Sequence, residues 1–332
     1  MNKAPFCLSL VGALALAAFG CGGDDGDATD DAAASSGQTP TGGTTTPGSD
    51  DDPSGATSGA TTTATDPTNP TDPTDPTDPT DPTSADSTGT GDPPMMTLPP
   101  PNAGLDYQLG GAYPPPAGVE IVSRDRTESP AAGLYNICYV NGYQTQPGEQ
   151  DWWESEHPDL LLRDDMGNPF IDPDWNEVLL DITTPEKRQA LAAIVGEWIE
   201  QCGTDGFDAV EIDNLDTYSR SDGMISQDNA VDYMAMLSTT AHAAGMAIAQ
   251  KNSAEIVSRR DELGTDFVVS EECNRWNECQ DFIDVYGEAV LVIEYRQQDF
   301  DAGCTDYPQL SIVLRDLDLV PEGDAGYVYD GC

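Results

Sequence analysis

The chain has 332 residues and a formal net charge of −47, from 13 Lys and Arg against 60 Asp and Glu, with 2 His in all. That balance excludes nucleic acid as a partner, because phosphate binding needs clustered cations that release counterions. So few histidines also argue against a His-built metal centre or a Ser-His-Asp relay, and no apolar stretch of about 18 residues, the length that spans a bilayer, follows the N-terminus.

Residues 1–21 read as an export signal. Lys3 gives a positive start, and the apolar run 6–19 is too short for a stable transmembrane helix. The run ends Ala18-Phe19-Gly20-Cys21, a pattern similar to bacterial lipoprotein signals in which Cys21 is acylated after cleavage. The expectation is an exported chain, lipid-anchored to the bacterial cell envelope and touching membrane only through that anchor. Residues 22–103 are expected to form a disordered linker. Within 24–100 there is no aromatic residue, no Val or Ile, and no Lys or Arg, but 15 Asp and a near-perfect Asp-Pro-Thr repeat from Asp66 to Thr83. Such a segment buries too little apolar surface to offset its conformational entropy. Its prolines and like charges favour an extended spacer with a reach of about 240 Å.

The remainder, 104–332, has the composition of one folded domain. Residues 101–332 hold all 5 Trp and all 12 Tyr, and 12 Lys and Arg against 45 Asp and Glu leave a net −33. Short β-rich runs alternate with helical stretches, the pattern of parallel α/β folds. Strands are predicted at 107–109, 119–123, 134–140, 178–181, 207–213, 246–251, 267–271 and 289–295, with a further run at 311–314. A helix is predicted from Thr184, with Pro185 at its first position, an apolar stripe of Leu191, Ile194, Val195, Trp198 and Ile199, and Gly203 as its stop. Another runs from about Ser226 to Gly245, with Ala230, Met234, Leu237 and Ala241 on one face. No Gly-x-Gly-x-x-Gly loop follows a strand, which argues against an open nucleotide-binding sheet. The fold class expected is a single, disulfide-stapled (β/α)8 barrel. An export signal implies an oxidising compartment, so Cys138, Cys202, Cys273, Cys279, Cys304 and Cys332 are expected to be paired. Sequence alone leaves 15 pairings; the local choices are Cys273 with Cys279 and Cys304 with Cys332, leaving Cys138 with Cys202.

In such a barrel, chemistry gathers at the C-terminal strand ends, and several ends here are polar. In Val210-Glu211-Ile212-Asp213-Asn214, side chains alternate, so Glu211 and Asp213 share the face opposite Val210 and Ile212. Neighbouring like charges raise at least one carboxyl pKa, a device of acid/base chemistry; Asp216 lies close by. Another strand ends in Glu271-Glu272, of which a regular strand sends only one inward. Others end in Gln250-Lys251-Asn252 and Glu294-Tyr295. Lys251, among these acids, is expected to organise them. Trp152, Trp153, Trp175, Trp276, Tyr139 and Tyr143 lie in or beside expected loops, where aromatic faces can pack on sugar rings, whereas His242 reads as structural. Several carboxylates without a nucleophilic Ser or Cys relay point to glycoside hydrolysis. No cofactor and no metal are expected.

Gln108-Leu109, Cys138-Tyr139-Val140, the stretch from Gly206 to Asn214, Ala241-His242, Lys251-Asn252, Glu271-Glu272-Cys273 and Glu294-Tyr295 occur in this order. Over 105–332 this set resembles the glycoside hydrolase family 114 barrels, the endo-α-1,4-polygalactosaminidases. The resemblance implies a TIM-like barrel that cleaves internal α-1,4 bonds in galactosamine polymers. It also implies Asp213 as nucleophile, Glu271 as acid/base, and Lys251, Asn252, Glu294 and Tyr295 as site lining. Glu211, Asn214, Asp216, Glu272 and Tyr139 complete the expected substrate-binding set. Arg124-Asp125-Arg126 departs from the more acidic strand end of many members. The partner expected is a cationic amino-sugar polysaccharide, which a domain at −33 attracts at low salt, and the chain is expected to act as a monomer. The rival readings are a non-catalytic polysaccharide-binding surface module and a hydrolase or transglycosylase of another extracellular glycan.

Overall fold

A computed structural model describes residues 96–173 and 175–332. The expectations for the signal, for Cys21 and for the linker up to residue 95 lie outside the described residues. Eight parallel strands form a nearly closed barrel in chain order: β1 Gly104–Gln108, β2 Val119–Asp125, β3 Tyr135–Asn141, β4 Ala209–Asp213, β5 Ala247–Lys251, β6 Phe267–Glu271, β7 Val290–Glu294 and β8 Ser311–Arg315. A ninth strand, β9 Tyr329–Gly331, runs antiparallel on the free edge of β8. Helices α1 Gln150–Glu156 and α2 Pro185–Asp205 link β3 to β4, and α3 Thr217–Arg220 and α4 Gln227–Ala243 link β4 to β5. Then come α5 Arg260–Leu263, α6 Cys273–Trp276 with α7 Cys279–Tyr286, and α8 Gln297–Asp306, in the next three crossovers. Among the described residues, the β1–β2 and β2–β3 crossovers carry no helix.

Alternation along the strands sorts the core. Leu105, Ile121, Ile137, Ala209, Ala249 and Phe267 pack together inside the barrel. Val140, Val210, Ile212 and Ile248 face outward onto Leu191, Val195 and Leu237 of the helices. Both long helices start where sequence signals place them. The Thr184 side chain accepts from the Lys187 N–H, with Pro185 next in line, and Ser226 forms a capping box with Asn229. The stop predicted at Gly203 is corrected: α2 runs on to Asp205, and Gly206, in the left-handed region at φ 96°, ends it. Gly203 lacks that conformation and packs inside the helix against Met246.

The run 178–181 is also corrected. Val178, Leu179 and Leu180 are fully buried, but they form isolated antiparallel bridges to Ile171, Gln144 and Leu161 rather than joining the barrel. A short apolar run reports burial and not its partner. The eighth barrel strand is instead Ser311–Arg315. The β3-to-α2 excursion therefore folds back on itself above the C-terminal strand ends.

Barrel closure differs from the other pairings. β1 packs against β8 without a backbone ladder among the described residues; side chains join them instead. Ser311 Oγ accepts from the Ala103 N–H at 2.9 Å. The fully buried Arg315 donates to Asp106 Oδ1 at 3.0 Å and to the Tyr107 carbonyl.

The disulfides are Cys138–Cys202, Cys273–Cys279 and Cys304–Cys332, enclosing separations of 64, 6 and 28 residues. The first joins β3 to α2, and the last joins the residue after β9 to α8. By loop-closure entropy, the first stabilises by about 4 kcal/mol and the second by about 2 kcal/mol. Replacing Cys138 and Cys202 together by Ala is therefore expected to lower the unfolding free energy in urea roughly twice as much as the same change at Cys273 and Cys279. Equal losses would contradict the loop argument.

Candidate active site

Three strand ends turn sharply through a non-glycine residue in the left-handed region: Asn214 after β4 at φ 66°, Asn252 after β5 at φ 46° and Glu272 after β6 at φ 58°. Asn tolerates this conformation, whereas Glu carries a steric penalty. Each turn leaves the last strand residue pointing into the barrel mouth: Asp213, Lys251 and Glu271. Their side chains meet. The Lys251 ammonium lies 2.9 Å from Asp213 Oδ1, 3.0 Å from Glu271 Oε2 and 3.4 Å from Glu211 Oε1. It also donates to Tyr107 Oη at 3.3 Å.

Burial divides these acids by depth. The Glu211 side chain is wholly inaccessible, whereas Asp213 and Glu271 keep 19% and 28% of theirs open. Glu211 accepts from the Tyr107 hydroxyl at 2.6 Å and from Ser123 Oγ at 3.1 Å. It is thus a floor beneath Lys251, below the open mouth. Asp213 Oδ2 accepts from the Tyr139 hydroxyl at 2.6 Å. Glu271 accepts from the Tyr295 hydroxyl and from Asn252 Nδ2, and the Asn252 side-chain Oδ1 accepts from the Glu271 N–H at 2.8 Å.

Electrostatics follows from this packing. Burial pushes the Asp213 carboxyl up, but the Lys251 charge and the Tyr139 and Lys251 hydrogen bonds outweigh it and hold Asp213 below the ordinary carboxylate range. Burial pushes the Lys251 ammonium down, but Asp213, Glu271 and Glu211 outweigh that and keep it charged. Burial raises the Glu211 carboxyl, with Lys251 opposing. Burial and the neighbouring anions raise Tyr107 and Tyr139, which remain hydroxyl donors at neutral pH.

Other expected site residues take supporting positions. Asn214 donates to Asn141 and accepts from Arg220, and Asp216 pairs with Arg220. Glu272 turns away and pairs with Arg275 at 2.7 Å, so Glu271 is the acid that faces Lys251. Glu294 points toward the helices: Leu291 and Ile293 lie in the interior cluster, so the adjacent Glu294 faces outward and accepts from the Asn274 N–H at 2.9 Å. Trp152 and Trp153 pack on each other and near Trp198. Tyr143 is buried against Tyr233, Trp175 is exposed, and His242 bonds Asp266 at 2.9 Å. Sequence reasoning missed Glu177. Its carboxylate accepts from Asn141 Nδ2 at 3.0 Å, and Asn141 is the register partner of Asp213. Burial pushes Glu177 up to about 7, against the Asn141 bond and with Asp213 adding to the rise. Only the fold-back of its excursion brings it there. Among the described residues, no group of three or more His, Cys, Asp or Glu is arranged to hold a metal ion.

Lys251→Met would leave three carboxylates facing one another. A loss of about 3–5 kcal/mol is expected at pH 7, shrinking toward pH 4 as the acids take protons; equal losses at both pH values in urea unfolding would contradict the ion-pair account. Glu294 offers a second test. Burial pushes its carboxyl up to about 7, against the Asn274 N–H, so the folded state holds that proton to higher pH than the unfolded chain does. Its stabilising contribution is complete below about pH 4.5 and is lost as pH rises through about 7. Relative to Glu294→Gln, the wild type is expected to lose on the order of 2 kcal/mol between pH 4.5 and 8. A pH-independent difference would remove Glu294 from the account.

Comparison with known proteins bears on the fold and the class. Aspergillus fumigatus Ega3, solved in complex with galactosamine, is 21% identical at a TM-score of 0.56, over 75% of this chain and 100% of that one. The glycoside hydrolase domain of PelA from Pseudomonas aeruginosa is 13% identical at a TM-score of 0.47, over 68% of this chain and 99% of that one. At these identities the likeness to Ega3 is one of fold, and that to PelA adds no argument. No curated protein matches in sequence. The model of Glycoside-hydrolase family GH114 matches residues 85–332. The chain belongs to that family and is a glycosidase.

Proposed function

We propose that the protein is an exported, endo-acting glycosidase that cleaves α-1,4-galactosaminidic bonds by double displacement. The observation that carries this reading is the pair of partly accessible carboxylates, Asp213 and Glu271, bridged by the Lys251 ammonium. Their nearest oxygens, at 2.9 and 3.0 Å from one nitrogen, lie no more than 5.9 Å apart. Retaining enzymes hold their carboxyl groups about 5–5.5 Å apart, inverting ones about 6.5–9.5 Å.

In the first step an Asp213 oxygen bonds to the anomeric carbon as the bond to the leaving oxygen breaks, and Glu271 gives that oxygen its proton. In the second, Glu271 takes a proton from water, and the water oxygen displaces Asp213. Asp213 suits the first role because its neighbours keep it ionised. Lys251 and Tyr139 orient it, and Tyr295 and Asn252 orient Glu271. The family, the galactosamine bound to Ega3 and the net −33 of residues 101–332 support an amino-sugar polymer as substrate.

Export rests on the signal-like residues 1–21, with Cys21 as the anchor and 22–103 as a spacer before the catalytic domain at 104–332. Three disulfides fit an oxidising compartment. Among the described residues, no helix is long and apolar enough to cross a membrane.

Wild-type protein is expected to release new reducing ends from partly deacetylated α-1,4-galactosamine polymer. Asp213→Asn and Glu271→Gln should each lower the rate by about 100-fold or more while remaining folded. Undiminished release by either variant would overturn its assignment, and a first-formed β anomer in NMR would overturn retention.

A further inference from the structure

The two displacement steps leave one cleft unused. It opens beside Glu271, between Asn252 and Ser253 after β5 and the turn after β6, and encloses about 290 Å³. Trp276, Glu278, Glu255 and Asp216 complete its walls. Asp213 is not part of it.

The indole is the first sign of a ligand. Trp276 is 58% exposed, although the Arg275 guanidinium already lies 4.5 Å from its ring centroid. Its neighbour covers part of the ring, and the indole still lines the cleft with much of its surface exposed. An open aromatic face in a polar cleft suits the C–H face of a sugar ring.

Charge is the second sign. Asp216 pairs with Arg220, but the other two acids have no cationic partner among the described residues. Among the described residues, Glu255 accepts from the Tyr218 hydroxyl alone, at 2.7 Å. Glu278 is half-buried, and burial followed by the charges of Glu255 and Asp281 raises its carboxyl. Its only described bonds are through its backbone, to Cys273, Asp281 and Phe282.

Location is the third. Glu271 hands its proton to the leaving oxygen, so the sugar attached to that oxygen lies on the side of Glu271 away from Asp213. The cleft is lined by Glu271 and not by Asp213, which suits that sugar. Trp276 and Glu278 both sit inside the short loop closed by Cys273–Cys279, which begins just after Glu271. The covalent closure fixes the indole and the Glu278 carboxylate relative to the acid/base.

We propose that this cleft is the leaving-group subsite and that it selects a sugar unit bearing a free, protonated amine, with Trp276 under the ring and Glu255 and Glu278 facing the ammonium. The inference rests on Asp213 and Glu271 acting as assigned above. On a polymer of mixed acetylation the enzyme then cuts where the unit on the leaving side is unacetylated. Every new non-reducing end therefore carries a free amine, whatever occupies the other side of the bond.

The test digests about half-acetylated α-1,4-galactosamine polymer to low conversion with the full chain. Free amines are then tagged with deuterated acetyl groups, and product termini are read by tandem mass spectrometry. Wild-type products are expected to show free-amine units at new non-reducing ends about tenfold or more above the polymer's own ratio, the scale of a charge-assisted hydrogen bond. The Glu255→Gln, Glu278→Gln double variant should lose most of that bias and show a raised KM on fully deacetylated polymer. Trp276→Ala should raise KM while keeping the bias. New ends that mirror the polymer's composition, or a bias unchanged in the double variant, would overturn the subsite alone. No new ends from any polymer would overturn the catalytic reading and the subsite with it.

Discussion

A single buried ammonium sets the terms for the barrel mouth. Lys251 is almost inaccessible, yet it faces Glu211, Asp213 and Glu271. Burying one charge unpaired costs several kcal/mol, and burying like charges together costs more. The cluster is tolerable because the carboxylates surround the cation and every acid takes a further hydrogen bond from Tyr107, Ser123, Tyr139, Asn252 or Tyr295. The same cation holds Asp213 and Glu271 side by side, as the proposed double displacement requires. Stability and chemistry thus rest on the same contacts, and the hydroxyls from β1, β3 and the end of β7 tie them to the whole ring of strands.

Backbone conformation delivers these side chains. A strand sends alternate residues inward, so an acid at its end reaches the mouth only if the chain turns away directly afterwards. Asn214, Asn252 and Glu272 make that turn in the left-handed region. At β6 the turn also settles which of two adjacent acids enters. Glu271 completes the strand and faces Lys251, while Glu272 swings out to Arg275.

Much of this was legible in the sequence, for identifiable reasons. Period-two alternation put Glu211 and Asp213 on one face, and the structure keeps them there. Pro185 after Thr184 marked a helix start because capping is local chemistry, and the apolar face of Ala230, Met234, Leu237 and Ala241 marked the helix from about Ser226. Depth was not legible: alternation gives the face of Glu211 but not its layer. Glu294 was read as site lining from the resemblance; the run from Val290 to Ile293 is apolar on both faces, so alternation could not show that Glu294 faces outward. Residues 178–181 looked like a barrel strand because a buried apolar run has the same pattern whichever partner buries it. Glu177 carried no local signal, since its proximity to Asp213 comes from the fold-back of a long excursion.

Where β1 meets β8, the barrel is buttoned by side chains instead of stitched by backbone. Every other neighbouring pair of parallel strands shares amide-to-carbonyl bonds that must break together, whereas this join hangs on Arg315, Asp106, Ser311 and a few carbonyls. On the β8 side of the join the backbone is covered by β9, so the least defended amides of the barrel wall are those of β1, where deuterium would enter first. The acids of β4 and β6 proposed to be catalytic lie away from it in strand order. Opening at the join would therefore be felt at the site through Tyr107, while Asp213 and Glu271 keep their own strand ladders.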